Sequence, residues 1–443
     1  MIESLKEPAG TNDANVGDED GYLPEWFLLE LWCRLPAADV IRFKCVSKHW
    51  LSLISDPSFR ALYISRRSSS PEACPFVLFS SIVQSVDEEH PAETVSIPFE
   101  ANKFLQLRKL TLPGIAERSS EGTSQFKIRA ADKGILLLER EVLRSLEYSI
   151  CNPVTKHRFS LPRLPNLPLN PINVGFIAQV ETGVLINYTV AVINCPYNAK
   201  QTIRMHNFSS ETGRWVDLIV SSEHRVRISS FQRPIVVNNA LHCMATMIGD
   251  VVIGGILDPF ANPSKFRIIK YPFGVDDGAN DWKGSFGCGV SQDRLKFFQH
   301  IVKSYWNGHP SPFLRVWELQ DNYEWRLERD ISFTDILFPD GDPYTSHRYG
   351  ITVVFLSFHP SDPNIVFLYW KVPGELMSYN IESKRMESLH LKSYWPPSSC
   401  SDQLNSPTSG FFQMLPPWPT SFPLKHHDST TSAPPALALP GPL

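Results

Sequence analysis

From Tyr22 the apolar positions follow a helical period. Leu28, Leu31, Trp32 and Leu35 recur at i, i+3, i+4 and i+7, which predicts one apolar helix face, and Pro36 ends that helix. Asp39 is the expected N-cap of a second helix that turns Val40, Phe43 and Val46 inward. Ser47 is the expected cap of a third helix presenting Trp50, Leu51 and Ile54. Asp56-Pro57 joins a cap to a proline at the first helical position, and Phe59, Leu62 and Tyr63 then share a face. Three or four short helices therefore fall within residues 21–65. The segment from Arg66 to Pro71 is polar and without period, predicting a linker over 66–73.

Beyond the linker the pattern changes to short β-rich runs divided by Pro, Gly, Asn and Asp. Gly134–Leu138, Val184–Val192, Val251–Ile256, Phe266–Tyr271, Leu314–Leu319, Ile351–Phe358 and Ile365–Trp370 are examples. A weak repeat runs through them: a strand, a polar turn, then a second strand with a bulky residue. Taking Arg158, Trp215, Trp282, Trp325 and Lys384 as equivalent, the steps are 57, 67, 43 and 59 residues. Spacing near that of four-stranded blades with variable loops predicts an all-β, kelch-like propeller over 74–395, with a pair of β-sandwiches as the alternative. The fold class expected is thus an α+β multidomain chain, a small all-α unit before a larger all-β one.

Both ends read as disordered. Residues 1–20 are small, polar and mildly acidic. In the 48 residues from 396 to 443 stand 11 of the chain's 37 prolines, which disfavours helices and sheet ladders. Within that tail Phe411-Phe412-Gln413-Met414-Leu415 is apolar; docking onto the β domain is expected ahead of service as a partner motif.

Composition adds exclusions. The 443 residues are 42% hydrophobic and 20% charged, with ample material for a large core. A net charge of −4 gives no footprint for nucleic acid or an anionic membrane. There is no secretory signal pattern and no apolar run of spanning length, so a cytoplasmic or nuclear location is expected. The eight cysteines include no C-x-x-C pair and read as reduced, buried thiols rather than zinc or disulfide partners.

Certain residues carry a family resemblance. Leu23-Pro24-Glu25, Leu28-Leu29-Glu30-Leu31, Arg34-Leu35-Pro36, Cys45-Val46-Ser47-Lys48-His49-Trp50 and Asp56-Pro57-Ser58-Phe59 follow one another in the order and spacing of an F-box. Trp26 and Trp32 stand where family members usually have smaller or aliphatic residues. The resemblance implies docking on the Skp-family adaptor of a Skp–cullin–F-box ubiquitin ligase. It assigns contact or core roles to Leu23, Pro24, Leu28, Leu31, Leu35, Pro36, Val40, Phe43, Val46 and Trp50. Residue chemistry agrees: a segment of this size without disulfide or metal holds little core of its own, and each large apolar group is worth about 1.5–3 kcal/mol when buried.

The β region resembles the F-box-associated, propeller-like domains of large plant F-box families. Asn152-Pro153 with Leu161-Pro162, Glu211-Thr212-Gly213-Arg214-Trp215, Asn239-Ala240-Leu241-His242, Val316-Trp317-Glu318-Leu319 with Trp325, and Phe358-His359-Pro360 carry that likeness. It implies a non-catalytic adaptor whose β domain holds an unidentified substrate protein. A cullin would be reached through the Skp-family adaptor, and no cofactor, nucleic acid or membrane is involved.

Enzymatic motifs are lacking: no phosphate-binding loop, H-E-x-x-H or G-x-S-x-G. Gly284, Gly287 and Gly289 fail the dinucleotide spacing and predict a bulge or turn. Asp340-Gly341-Asp342 predicts a turn rather than a calcium loop, and His426-His427 has no further ligands nearby. Trp215, Trp282, Trp317 and Trp325 keep a second reading open, a carbohydrate- or small-molecule-binding propeller with a vestigial F-box. Packing between blades is the plainer use of those rings.

Overall fold

A computed structural model describes residues 23–35, 37–68, 76–80, 94–97, 108–110, 127–142, 145–152, 157–165, 172–181, 183–229, 233–247, 252–258, 262–272, 285–303, 311–332, 353–359, 362–370, 375–388 and 410–414. The chain divides into two compact units, Met1–Tyr63 and Ile64–Leu443.

The first unit is helical: α1 Glu25–Arg34, α2 Ala37–Arg42, a 3-10 turn Phe43–Cys45, α3 Lys48–Ser55, and α4 Pro57–Ser68, which runs on into the second unit. The expected caps at Ser47 and Asp56 form. Ser47 Oγ accepts from the Trp50 N–H at 3.1 Å, and Asp56 Oδ1 accepts from the Ser58 N–H at 2.7 Å. Asp39 does not cap; α2 begins at Ala37, so Asp39 sits in its first turn and pairs with Arg42 at 2.9 Å. The expected linker start also moves, because α4 continues through Ser68.

In the second unit, strands run in antiparallel sets of four. The first set holds β1 Phe76–Ser80, β2 Thr94–Ile97 and β3 Arg108–Leu110; the next holds β4 Lys127–Asp132, β5 Ile135–Val142, β6 Ser145–Cys151 and β7 Arg158–Ser160. Then come β8 Ile172–Glu181, β9 Val184–Asn194, β10 Lys200–Ser209 and β11 Arg214–Ile228, followed by β12 Ile235–Val237, β13 Ala240–Met247, β14 Val252–Asp258 and β15 Asn262–Lys270. The last two sets are β16 Ser285–Ser291, β17 Arg294–Lys303, β18 Ser311–Leu319 and β19 Trp325–Ser332, then β20 Val353–Phe358, β21 Ile365–Trp370, β22 Glu375–Asn380 and β23 Arg385–Ser388. The first set gains its fourth strand from the far end of the chain: β24 Gly410–Met414 pairs with β1, Phe76 opposite Met414 and Ser80 opposite Gly410.

Among the described residues this makes six four-stranded blades, since the single eight-stranded sheet is the third and fourth blades joined. The join has a cause. The long β11 runs parallel beside β15 at Ser221 and Ser222, then pairs with β13 from Val226 to Ile228, so it leaves one blade's outer edge to reach the next blade's inner one. First strands of successive blades lie side by side, β4 by β8, β8 by β12, β12 by β16, β16 by β20 and β20 by β24. That is a β-propeller closed by a strand from the C-terminal stretch. The expectation of an all-β propeller is met, and the sandwich pair is not what forms.

The core lies between blades. Period-two alternation sends Val174 and Phe176 of β8 toward Ile135, Leu137 and Tyr148, and Ile177 toward Leu241 and Phe266. Phe298, Leu314 and Val316 meet Phe355, Phe358 and Tyr379 across the fifth and sixth blades. Both faces of a blade being buried explains its apolar strands.

Two expectations are corrected here. Gly287 and Gly289 lie within β16 in regular pairing with β17, in neither a bulge nor a turn. A Cβ on Gly287 would enter the Phe355 ring, and one on Gly289 would stand 2.9 Å from Phe358 Cδ2; the glycines admit the next blade's aromatics. The stretch expected to be a disordered tail supplies β24, while the docking expected of its apolar run is met: residues 411–414 pair with β1. The rest of 396–443, the leader 1–20, Asp340-Gly341-Asp342 and His426-His427 lie outside the described residues.

Candidate functional site: an apolar surface on the helical unit

The helical unit has a small aromatic core. Trp32, fully buried, meets Trp50 at 5.0 Å and Phe59 at 5.8 Å between ring centroids, both edge to face. Phe43 reaches Trp50 at 5.6 Å, and Phe59 reaches Tyr63 at 6.2 Å. The Tyr63 hydroxyl donates to the Leu35 carbonyl at 2.6 Å, tying α4 to the end of α1. Leu28, Val40 and Ile54 complete this core.

The ten residues singled out from sequence divide between that core and the surface. Leu28 and Val40 are buried, while Leu35, Phe43 and Trp50 are half-buried. Leu23, Pro24, Leu31 and Val46 are exposed, Val46 by 60%. Pro36 lies outside the described residues. Val46 was expected to face inward and Leu31 to share an apolar face with Leu28 and Trp32; both face solvent, while Trp32, Leu28, Val40, Ile54 and Phe59 occupy the interior. Leu51 and Leu62 are exposed as well.

Sequence patterning missed Trp26 and Phe27. Trp26 is 70% exposed and T-shaped against Phe27 at 5.8 Å. His49 Nε2 stands 3.4 Å from Glu25 Oε1, which brings the first turn of α1 beside the first turn of α3. Seven large apolar residues of one small unit, Leu23, Trp26, Phe27, Leu31, Val46, Leu51 and Leu62, thus remain in water. Such a surface gains free energy only by meeting an apolar partner.

Trp215, Trp317 and Trp325 of the propeller pack between blades. Trp215 packs on Phe208 at 5.4 Å and Tyr148 at 5.9 Å, and its Nε1–H donates to the Pro162 carbonyl at 2.8 Å, joining the second and third blades. Trp325 stacks on Tyr271 at 5.5 Å between the fourth and fifth blades, with Trp317 packed in the same cluster. Trp282 lies outside the described residues. The buried carboxylate Glu139 is held by Arg129 at 3.2 Å and by the Tyr148 hydroxyl at 2.8 Å. Burial, and then that carboxylate, push the Tyr148 phenol well above its usual range, so the group is a fixed donor. Six described cysteines are free thiols; Cys33, Cys151, Cys195 and Cys243 are buried as expected, Cys288 is half-buried and Cys45 is exposed. Burial pushes Cys151 up to about 11 and Cys195 to about 12, which leaves both as unreactive thiols at neutral pH.

Comparison with known proteins matches both units. The family described as "F-box protein At3g26010-like, beta-propeller" covers residues 81–408, and the F-box domain covers residues 29–62. The chain belongs to this family of F-box proteins with a β-propeller. A putative F-box/kelch-repeat protein At1g15680 of Arabidopsis thaliana is 24% identical over 388 residues, 84% of each chain. The F-box protein At1g49990 of Arabidopsis thaliana is 25% identical over 419 residues, 86% of this chain and 90% of that one.

Proposed function

We propose that the chain is the substrate-recognition subunit of a Skp–cullin–F-box ubiquitin ligase, non-catalytic itself and working in the cytoplasm or nucleus. The observation that carries this reading is the solvent-facing set Leu23, Trp26, Leu31 and Val46 on a unit matching an F-box. These residues form the docking face for a Skp-family adaptor, with Pro24 and Leu35 at its margin. Leu28, Val40, Phe43 and Trp50 hold the helices in the arrangement that presents it. The adaptor reaches the cullin, and the propeller holds the substrate protein. Catalysis then rests on proximity: a bound target meets ubiquitin-charged enzyme at a high effective concentration.

The test is a reconstituted ubiquitylation reaction containing a Skp-family adaptor, cullin, ubiquitin-conjugating enzyme and proteins captured by the propeller. Wild type should direct ubiquitin onto captured proteins, and a Leu31→Asp/Val46→Asp variant should not. Equal transfer by both would overturn the docking assignment. Against the carbohydrate-binding alternative, three of the four tryptophans that motivate it, Trp215, Trp317 and Trp325, are engaged in blade packing.

A further inference from the structure

A cleft of about 330 Å³ opens between the fourth and fifth blades. It lies where the two-residue turn Asn238-Asn239 joins β12 to β13, the turn Gln292-Asp293 joins β16 to β17, and the segment from Gln320 to Glu324 joins β18 to β19. Antiparallel blades place these three turns at the same end of the sheets, as the 1–2 and 3–4 hairpins of neighbouring blades. The floor is apolar, made by Val237, Ala240, Leu295 and Leu319 of the inter-blade core.

The rim is charged and unevenly engaged. Arg294 is committed to Asp321 at 2.7 Å, and Lys265 stands 3.9 Å from Glu223. Arg267 has no carboxylate in ion-pair reach among the described residues; its guanidinium lies 4.6 Å over the Tyr323 ring. The ring holds the cation through its face, an attraction that uses none of the guanidinium N–H donors. Tyr323 is held for this at φ 64, a left-handed conformation that a tyrosine adopts only under constraint. The constraint is visible: Tyr323 N–H donates to the Gln320 carbonyl and Gln320 N–H to the Glu324 carbonyl, both at 2.9 Å.

We propose that this cleft binds an extended substrate segment, setting a carboxylate side chain against Arg267 and an adjacent apolar side chain on the floor. An edge-on guanidinium matches a carboxylate with two parallel N–H···O bonds. Asp293 and Asp321 line the same cleft, so a doubly charged phosphate meets more repulsion than a single carboxylate does. The proposal rests on the reading of the propeller as the substrate-binding part.

The test is fluorescence anisotropy with the full chain and labelled hexapeptides that pair Leu with Glu, Gln, Lys or phosphoserine. The Leu-Glu peptide should bind about tenfold more tightly than the other three. Arg267→Gln should abolish that preference and Tyr323→Leu should weaken it, each with an unchanged thermal melt. Arg204→Gln, an exposed arginine of β10 outside the cleft, should leave binding as in wild type. Equal binding of all four peptides, tighter binding of phosphoserine, retention in Arg267→Gln, or loss in Arg204→Gln would each overturn the proposal. Should Arg267→Gln unfold the chain, Arg267→Lys is read instead, with the same preference reduced and a wild-type melt; an undiminished preference there would overturn the proposal equally. Capture of a Skp-family adaptor is measured on the same preparations. In wild type, absence of the peptide preference with capture present speaks against the cleft, and absence of capture with the preference present speaks against the ligase reading.

Discussion

Trp32 and Trp50 meet edge to face at 5.0 Å, the closest ring pair in the aromatic core of the helical unit. Trp32 and Phe59 lie inside with Trp50 packed against Trp32, while Leu31 and Val46 face outward. Trp32→Ala should therefore unfold the helical unit, at a cost of about 3–5 kcal/mol. Trp26→Ala, at an exposed site, should change stability by less than about 0.5 kcal/mol. Amide hydrogen exchange across α1, α3 and α4 in the full chain reads both. Equal protection in the two variants would contradict the division between core and surface.

Closure by β24 makes the propeller depend on five residues remote in sequence from β1. Ending the chain after residue 409 should lower its melting temperature by about 5 °C or more. Ending it after residue 415 should leave the temperature nearly unchanged. Differential scanning calorimetry distinguishes the two, and identical melts would mean that β24 does not close the ring.

Gly287 offers a steric test of how the fifth and sixth blades meet. Alanine favours a strand slightly over glycine, yet its Cβ would enter the Phe355 ring, so Gly287→Ala should destabilise by about 1–3 kcal/mol. Adding Phe355→Leu should recover part of that loss. Denaturant unfolding of the single and double variants measures the coupling, and strict additivity would contradict the contact.

Acid should loosen the propeller by a definite slope. Burial holds His242 and His300 at about 4, below their usual 6.5, so both are neutral in the fold and charged in the unfolded chain through that window. Burial raises Asp132 from 3.8 to about 6, so the folded state takes this proton first. Between about pH 6 and 4 these groups put two protons on the unfolded chain and one on the fold. Their net contribution is a loss of stability of about 1.4 kcal/mol for each unit of falling pH. Asp132→Asn removes the offsetting proton and should steepen the slope toward about 2.7 kcal/mol per unit. Denaturant midpoints at several pH values test this; an unchanged slope in the variant would refute the role given to Asp132.

The helices and most strands were legible because their signals are local. Ser47 and Asp56 cap where their side chains predict, and in the second, third, fifth and sixth blades the turn before the outer strand recurs with a bulky or basic residue behind it. Arg158, Trp215 and Trp325 each fall at or beside the start of a fourth strand, and Lys384, at φ 56, closes the turn before β23. Trp282 was placed in that series wrongly: the fourth blade's outer strand starts at Asn262, with no aromatic to mark it. What sequence could not give is non-local. The pairing of β24 with β1 joins residues some 330 positions apart, an order set by strand geometry that leaves no period in the sequence. The glycines of β16 are explained only by Phe355 and Phe358 of the next blade. At the candidate docking site, the motif named the right segment, but helical period alone could not say which apolar residues would remain at the surface.

Titration of a purified Skp-family adaptor into the full chain by isothermal calorimetry tests the docking face. Wild type should bind with a negative heat-capacity change from apolar burial, and Leu31→Asp/Val46→Asp should lose about a hundredfold or more in affinity with its melt unchanged. Binding of equal strength in the two proteins would contradict the account.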